Sequence, residues 1–205
     1  EILVDAADDY KKGRGLSEFM RPLLGDGLLS AEGSLHRRHR KLLAPAFAPK
    51  RMAMYADTMT QEAQTQLAGW KDGLRIDVSH EMMQLTLAIA GKTFFGADVR
   101  GDAAVVEHAL TLGMKAVIKT MMSPIQIPYP WLLRRHKHMQ KAIDDLNAIV
   151  YRMLAEARAA GVDRGDVMSM LLAARDDEDG SGFTDEQIRD EVMTLLLAGH
   201  ETTAN

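Results

Sequence analysis

The sequence contains no cysteine, so neither a disulfide nor a thiolate metal ligand can come from these 205 residues. Aromatic residues make up only 5% and there are just six prolines, a composition that points to a chain made mostly of helix. No run reaches the roughly eighteen apolar residues of a membrane span, and the start lacks the basic and apolar blocks of a signal peptide. Neither sign of charge dominates: 25 Lys and Arg stand against 29 Asp and Glu, so no general attraction to nucleic acid follows. A P-loop, a dinucleotide-binding glycine pattern and a G-x-S-x-G elbow are all absent. Both ends read as cut, because Glu1 to Val4 begins mid-pattern and Asn205 follows a buried-type helix with no stop signal. A cytoplasmic location is the expectation, with an N-terminal anchor left open.

What is present converges on the last twenty-two residues, Thr184 to Asn205. Thr184 and Gln187 form a capping box, Phe183 and Ile188 a hydrophobic staple, and Asp185 and Glu186 suit the positive end of the helix dipole. Beyond Asp190 and Glu191 the run Val192 to Gly199 is apolar on nearly every side, as in a helix crossing a core. His200, Glu201, Thr202 and Thr203 then follow where the pattern demands apolar residues. Buried polar groups need partners, water or a ligand, so this cluster is a candidate site. Gly199 inside the helix costs about 1 kcal/mol relative to alanine, which a close approach to the backbone explains.

A second candidate is the basic run Leu35 to Leu43, ended by Ala44-Pro45, since proline biases the preceding residue away from helix. His36 and Arg40 are four apart and share a face; Arg37 and Lys41 share the next. Such a run reads as a solvated helix face, as an anion site, or as a nucleic-acid contact. No aromatic groups interleave it for base stacking.

The rest reads as scaffold. Lys11 to Gly33 is a glycine- and leucine-rich loop, irregular yet packed. Pro49 starts a helix whose stripe Met52, Tyr55, Met59, Ala63, Leu67 and Trp70 is read as core. Leu74 to Val78 alternates as one short strand, and residues 79–94 suit a central helix. Helices follow over Ala103 to Lys119, Trp131 to Ala160 and, capped by Asp166, to Leu172. The apolar, proline-rich stretch Met121 to Pro130 separates the first two, and the acidic turn Asp176 to Gly182 precedes the closing helix. That turn lacks the acidic twelfth position of a calcium loop, with Ile188 there, and His200-Glu201 lacks the second histidine of a zinc-protease motif, with Ala204 there.

The string Ala198-Gly199-His200-Glu201-Thr202-Thr203 resembles the distal helix of the cytochrome P450 superfamily, whose pattern is small-Gly-any-acid-Thr-Thr/Ser. His36 and Arg40, followed by Leu42 to Phe47, are similar to that family's Trp/His-x-x-x-Arg helix. The two motifs stand in the family's order. The resemblance implies an all-α P450-like fold with at most a short strand, residues 1–205 being the N-terminal to middle part of one domain. It implies a haem-dependent monooxygenase using haem b, dioxygen, a small hydrophobic substrate and electrons from a redox protein or reductase, with no nucleic acid.

By the same resemblance His36 and Arg40 contact the haem propionates, and Ala198 and Gly199 lie against the cofactor. Thr202 and Glu201 deliver protons, while Thr194 and Ala198 touch substrate. The family's cysteine ligand is not among these residues, nor is its later Glu-x-x-Arg motif, so this stretch alone is expected to be inactive. The alternative from another class is an all-α ligand- or DNA-binding regulatory module.

Overall fold

The computed structural model describes residues 9–13, 16, 20–122 and 137–204. The described residues form eight α-helices and no strand. They are α1 (Arg21–Leu24), α2 (Gly33–Leu43), α3 (Pro49–Ala68), α4 (Val78–Phe95), α5 (Ala103–Met121), α6 (Lys137–Ala160), α7 (Val167–Ala173) and α8 (Asp185–Ala204). None is long and apolar enough to cross a membrane.

Local signals place most boundaries. Asp77 caps α4 by accepting from the His80 amide, and Gly96 ends it in the left-handed conformation (φ 58°) that glycine adopts without strain. Asp166 caps α7 through the Ser169 amide. At α8 the capping box closes in both directions, with the Gln187 amide donating to Thr184 Oγ1 (3.2 Å) and the Thr184 amide to Gln187 Oε1 (3.0 Å).

α4 is apolar on several sides and packs most extensively against α8, while α5 lies along α6. Leu87 and Phe95 of α4, Leu146 and Met153 of α6, Met168 of α7, and Ile188 and Met193 of α8 meet in one core. The expected inner stripe of α6 is buried at Ile143, Leu146, Val150, Met153 and Ala157. Its N-terminal part, Trp131 to His136, lies outside the described residues, as does the proline-rich stretch from Ser123 on.

Three local expectations change. Residues 74–77 form no strand, because a strand needs a ladder partner and none stands beside them among the described residues. α2 does end at Leu43, yet Ala44 keeps helical angles (φ −52°, ψ −39°) and the chain tightens into a 3-10 turn, Ala44–Phe47. On α3, Met52, Met59 and Leu67 are exposed, whereas Tyr55 and Glu62 are buried. Electrostatics sets that rotation, since the Glu62 carboxylate meets Lys92 of α4 and Arg100 just beyond it.

The leucine-rich loop is packed as expected. Leu23 and Leu24 are fully buried in α1, which begins at a proline-containing turn that the loop reading missed.

Candidate functional site

α8 carries the distal candidates. Residues 188–197 are buried without interruption, but Ala198, Thr202 and Thr203 are exposed and Gly199 is half-buried. Within the polar cluster only the His200 side chain is buried; the Glu201 side chain lies outside the described residues. Thr194, Ala198 and Thr202, spaced by four, form one row along the helix.

The Thr202 hydroxyl donates to the Ala198 carbonyl oxygen one turn back, within a helix that stays continuous to Ala204. Gly199 has a packing reason: a Cβ at this position would stand 2.9 Å from the Phe94 ring of α4. A side chain at 199 would therefore force α4 and α8 apart where the Thr86 hydroxyl also lies 3.2 Å from the His200 carbonyl oxygen.

α2 carries the other candidates. Arg38 reaches the acidic turn, donating to Ser181 Oγ and the Gly182 carbonyl (both 3.0 Å), and Lys41 pairs with Asp177 at 3.2 Å. Two members of the basic run are thus committed to this chain's own acidic turn, which leaves less of it for DNA. Arg40 is exposed, and its guanidinium forms no hydrogen bond or ion pair among the described residues. His36 is half-buried, and its pKa is lowered by burial first, then by the charges of Lys12 and Arg40. Lys12 donates to the carbonyls of Leu28 (3.0 Å) and Ala31 (2.6 Å), and burial lowers its pKa against the opposing pull of Glu32 and Glu191. His36 and Arg40 therefore stand beside Lys12, with the carboxylates of Glu32 and Glu191 acting on His36 in the opposite sense.

The helix interface also holds residues that the sequence reading passed over. Arg189, Asp190 and Glu191 are buried, not at the surface end of α8. Asp190 Oδ2 accepts the Asp26 amide (2.8 Å), and its Oδ1 accepts from Arg189, which also donates to Asn147 of α6 (2.7 Å). Glu191 accepts the Leu28 amide (3.2 Å) and the His39 Nδ1–H (2.7 Å), with both partners of the latter pair fully buried. A signal existed: Glu191 lies three residues after Ile188 and four before Leu195, on the stripe that faces the core. An open cleft of 380 Å³ between the ends of α2 and α7, lined among others by Lys41, Arg51, Asp163 and Met170, contains none of the candidate site residues.

This helical assembly matches part of a known, larger fold. It is similar to the crystal structure of cytochrome P450DA heme domain, with a TM-score of 0.78 at 27% identity over 95% of this chain and 43% of that one. The family profile of cytochrome P450 matches residues 1–205, and the chain belongs to that family. It is 37% identical over 207 residues to cyclooctatin synthase of Streptomyces melanosporofaciens, covering 100% of this chain and 45% of that protein. It is 32% identical over 199 residues to cyclooctat-9-en-7-ol 5-monooxygenase of the same organism, covering 96% of this chain and 43% of that protein. The chain thus spans less than half the length of the relatives it matches.

Proposed function

We propose that this chain is the propionate-side and distal-side portion of a haem monooxygenase that inserts one oxygen atom of dioxygen into a small hydrophobic substrate, using electrons from a redox protein or reductase. The observation that carries the reading is Arg40, an exposed guanidinium without an ion-pair partner among the described residues, one turn from half-buried His36. Two donors on one helix face suit the carboxylates of haem b, and the lowered pKa of His36 keeps its imidazole neutral and able to donate one hydrogen bond.

Haem, once bound, supplies the redox chemistry that activates dioxygen. These 205 residues contain no cysteine, so they do not supply the thiolate that holds iron in this family. Their own contribution is to bind, orient and move protons. Ala198 presents a small side chain to the cofactor, and a larger one there narrows that space; Gly199 contributes by letting α8 approach Phe94 of α4, which keeps this stretch of backbone in place. Thr202 Oγ1 both donates and accepts, and holds a proton at the open face of α8; Glu201 relays protons to it from solvent.

Ala198, exposed on the same row, faces the substrate side, and Thr194 one turn further back forms the buried inner end of that row beside Gly27. A small hydrophobic substrate suits the small apolar side chain of Ala198, and one relative is named as a monooxygenase of cyclooctat-9-en-7-ol.

In the haem-loaded full-length protein with an electron donor, T202A is expected to consume reducing equivalents without matching product. Full coupling in T202A would overturn the proton-delivery role. R40A is expected to release haem about tenfold faster, as loss of an outer partner commonly does, and an unchanged release rate would overturn the propionate role.

A further inference from the structure

We propose that Glu191 is a positioning residue that, through His39, sets the rotation of α2 against α8 and so aims His36 and Arg40 at the cofactor. The inference rests on the reading of His36 and Arg40 as propionate partners.

Glu191 and His39 are both completely buried, and they join the two helices that carry the candidate site. A buried carboxylate is tolerated where hydrogen bonds satisfy its oxygens, and here both are satisfied. Oε1 accepts from His39 Nδ1 at 2.7 Å, and Oε2 accepts from the Leu28 amide at 3.2 Å. Hydrophobic residues of similar volume commonly stabilise such a place as well or better, so stability alone does not account for a polar pair here. Direction does: apolar contacts let two helices slide or rotate, whereas an imidazole bonded to a carboxylate permits one register.

The positions match that role. His39 follows His36 by three residues and precedes Arg40 by one, so any rotation of α2 that breaks the 2.7 Å contact also turns both candidate ligands. On α8, Glu191 precedes Thr194 by three residues, where the row Thr194, Ala198 and Thr202 begins. A single contact thereby relates the two halves of the site. The imidazole is held in turn by Phe183, whose ring meets it edge-on at 5.0 Å between centroids, while His39 Nε2 has no hydrogen-bond partner. His39 therefore makes one directed bond, the one to Glu191.

The test measures haem transfer from the full-length holoprotein to a haem scavenger, alongside urea unfolding. H39L/E191L removes both polar partners and leaves no buried charge. H39N keeps a donor where Nδ1 stands but loses the ring packed on Phe183. If the pair positions α2, H39L/E191L releases haem about tenfold faster, the scale typical of lost outer-sphere partners, while H39N releases it at the parental rate even with a lower unfolding midpoint.

Parental release from H39L/E191L overturns the proposal. So does fast release from H39N, which would make packing, not the bond, the cause, and this second variant decides the matter even if the first does not fold. R40A in the same assay separates the two ideas. Fast release from R40A with parental release from H39L/E191L removes only the positioning role, whereas parental release from R40A removes the propionate reading beneath it.

Discussion

Gly27 and Thr194 meet with no room for another atom between them: a Cβ on Gly27 would lie 2.4 Å from Thr194 Oγ1 and 2.5 Å from the Asp190 carbonyl oxygen. Gly27 is not among the glycines with positive φ, so alanine is conformationally allowed and the obstacle is purely steric. G27A is therefore expected to lose about 1 to 3 kcal/mol, the usual cost of overpacking, measured by urea unfolding. Adding T194A should recover only part of that loss, because the backbone oxygen of Asp190 remains in place. Complete recovery would show that the turn is held less tightly than its hydrogen bonds imply.

Thr194 offers a second expectation. Its Oγ1 is buried without a hydrogen-bond partner among the described residues, and such a group is a net cost. T194V keeps the shape and removes the hydroxyl, so stability should stay level or rise by about 1 kcal/mol. A clear loss of stability in T194V would mean that the hydroxyl has a partner, such as ordered water.

His36 predicts an acid limb. Its folded-state pKa lies below the ordinary imidazole value, chiefly through burial, so the unfolded chain takes up its proton more readily. The stability contributed is present above the ordinary imidazole pKa and is lost as the pH falls through the lowered folded value. H36Q should flatten the decline in unfolding midpoint between neutral pH and the onset of carboxylate protonation. An unchanged acid limb in H36Q would place the proton uptake elsewhere.

Glu62 sets up an asymmetry. It is only 1% exposed, while its partners Lys92 and Arg100 are 38% and 41% exposed. Removing both cations in K92M/R100M strands a buried carboxylate and should cost about 3 to 5 kcal/mol. E62Q leaves two cations that water can reach and should cost about 1 kcal/mol. Equal losses in the two proteins would mean that the carboxylate is reached by solvent.

Local signals carried most of the fold. Thr184 with Gln187, Asp166, Asp77 and Pro49 mark helix starts by satisfying or omitting backbone donors, which takes only neighbours in sequence. The failures share a cause. Leu74 to Val78 alternates as a strand would, yet a ladder needs a partner that alternation does not supply. Of the α3 stripe Tyr55 is buried while Met52, Met59 and Leu67 are exposed, because Glu62 finds its cations across the helix interface.

α8 shows the division most clearly. By itself the sequence determined that a capped helix runs from Thr184 into the core, that Gly199 marks a close approach and that Thr202 can bond back to Ala198, since each depends on groups within a turn or on backbone space. It also placed Asp190 and Glu191 at the polar start and the His200 to Thr203 cluster in the interior. Only the tertiary structure decided the burial: Asp190, Glu191 and His200 are buried, while Thr202 and Thr203 are exposed. The physical reason is that a carboxylate can be buried wherever donors from distant segments converge on it. Those donors, the amides of Asp26 and Leu28 and the imidazole of His39, stand more than a hundred residues away in the chain.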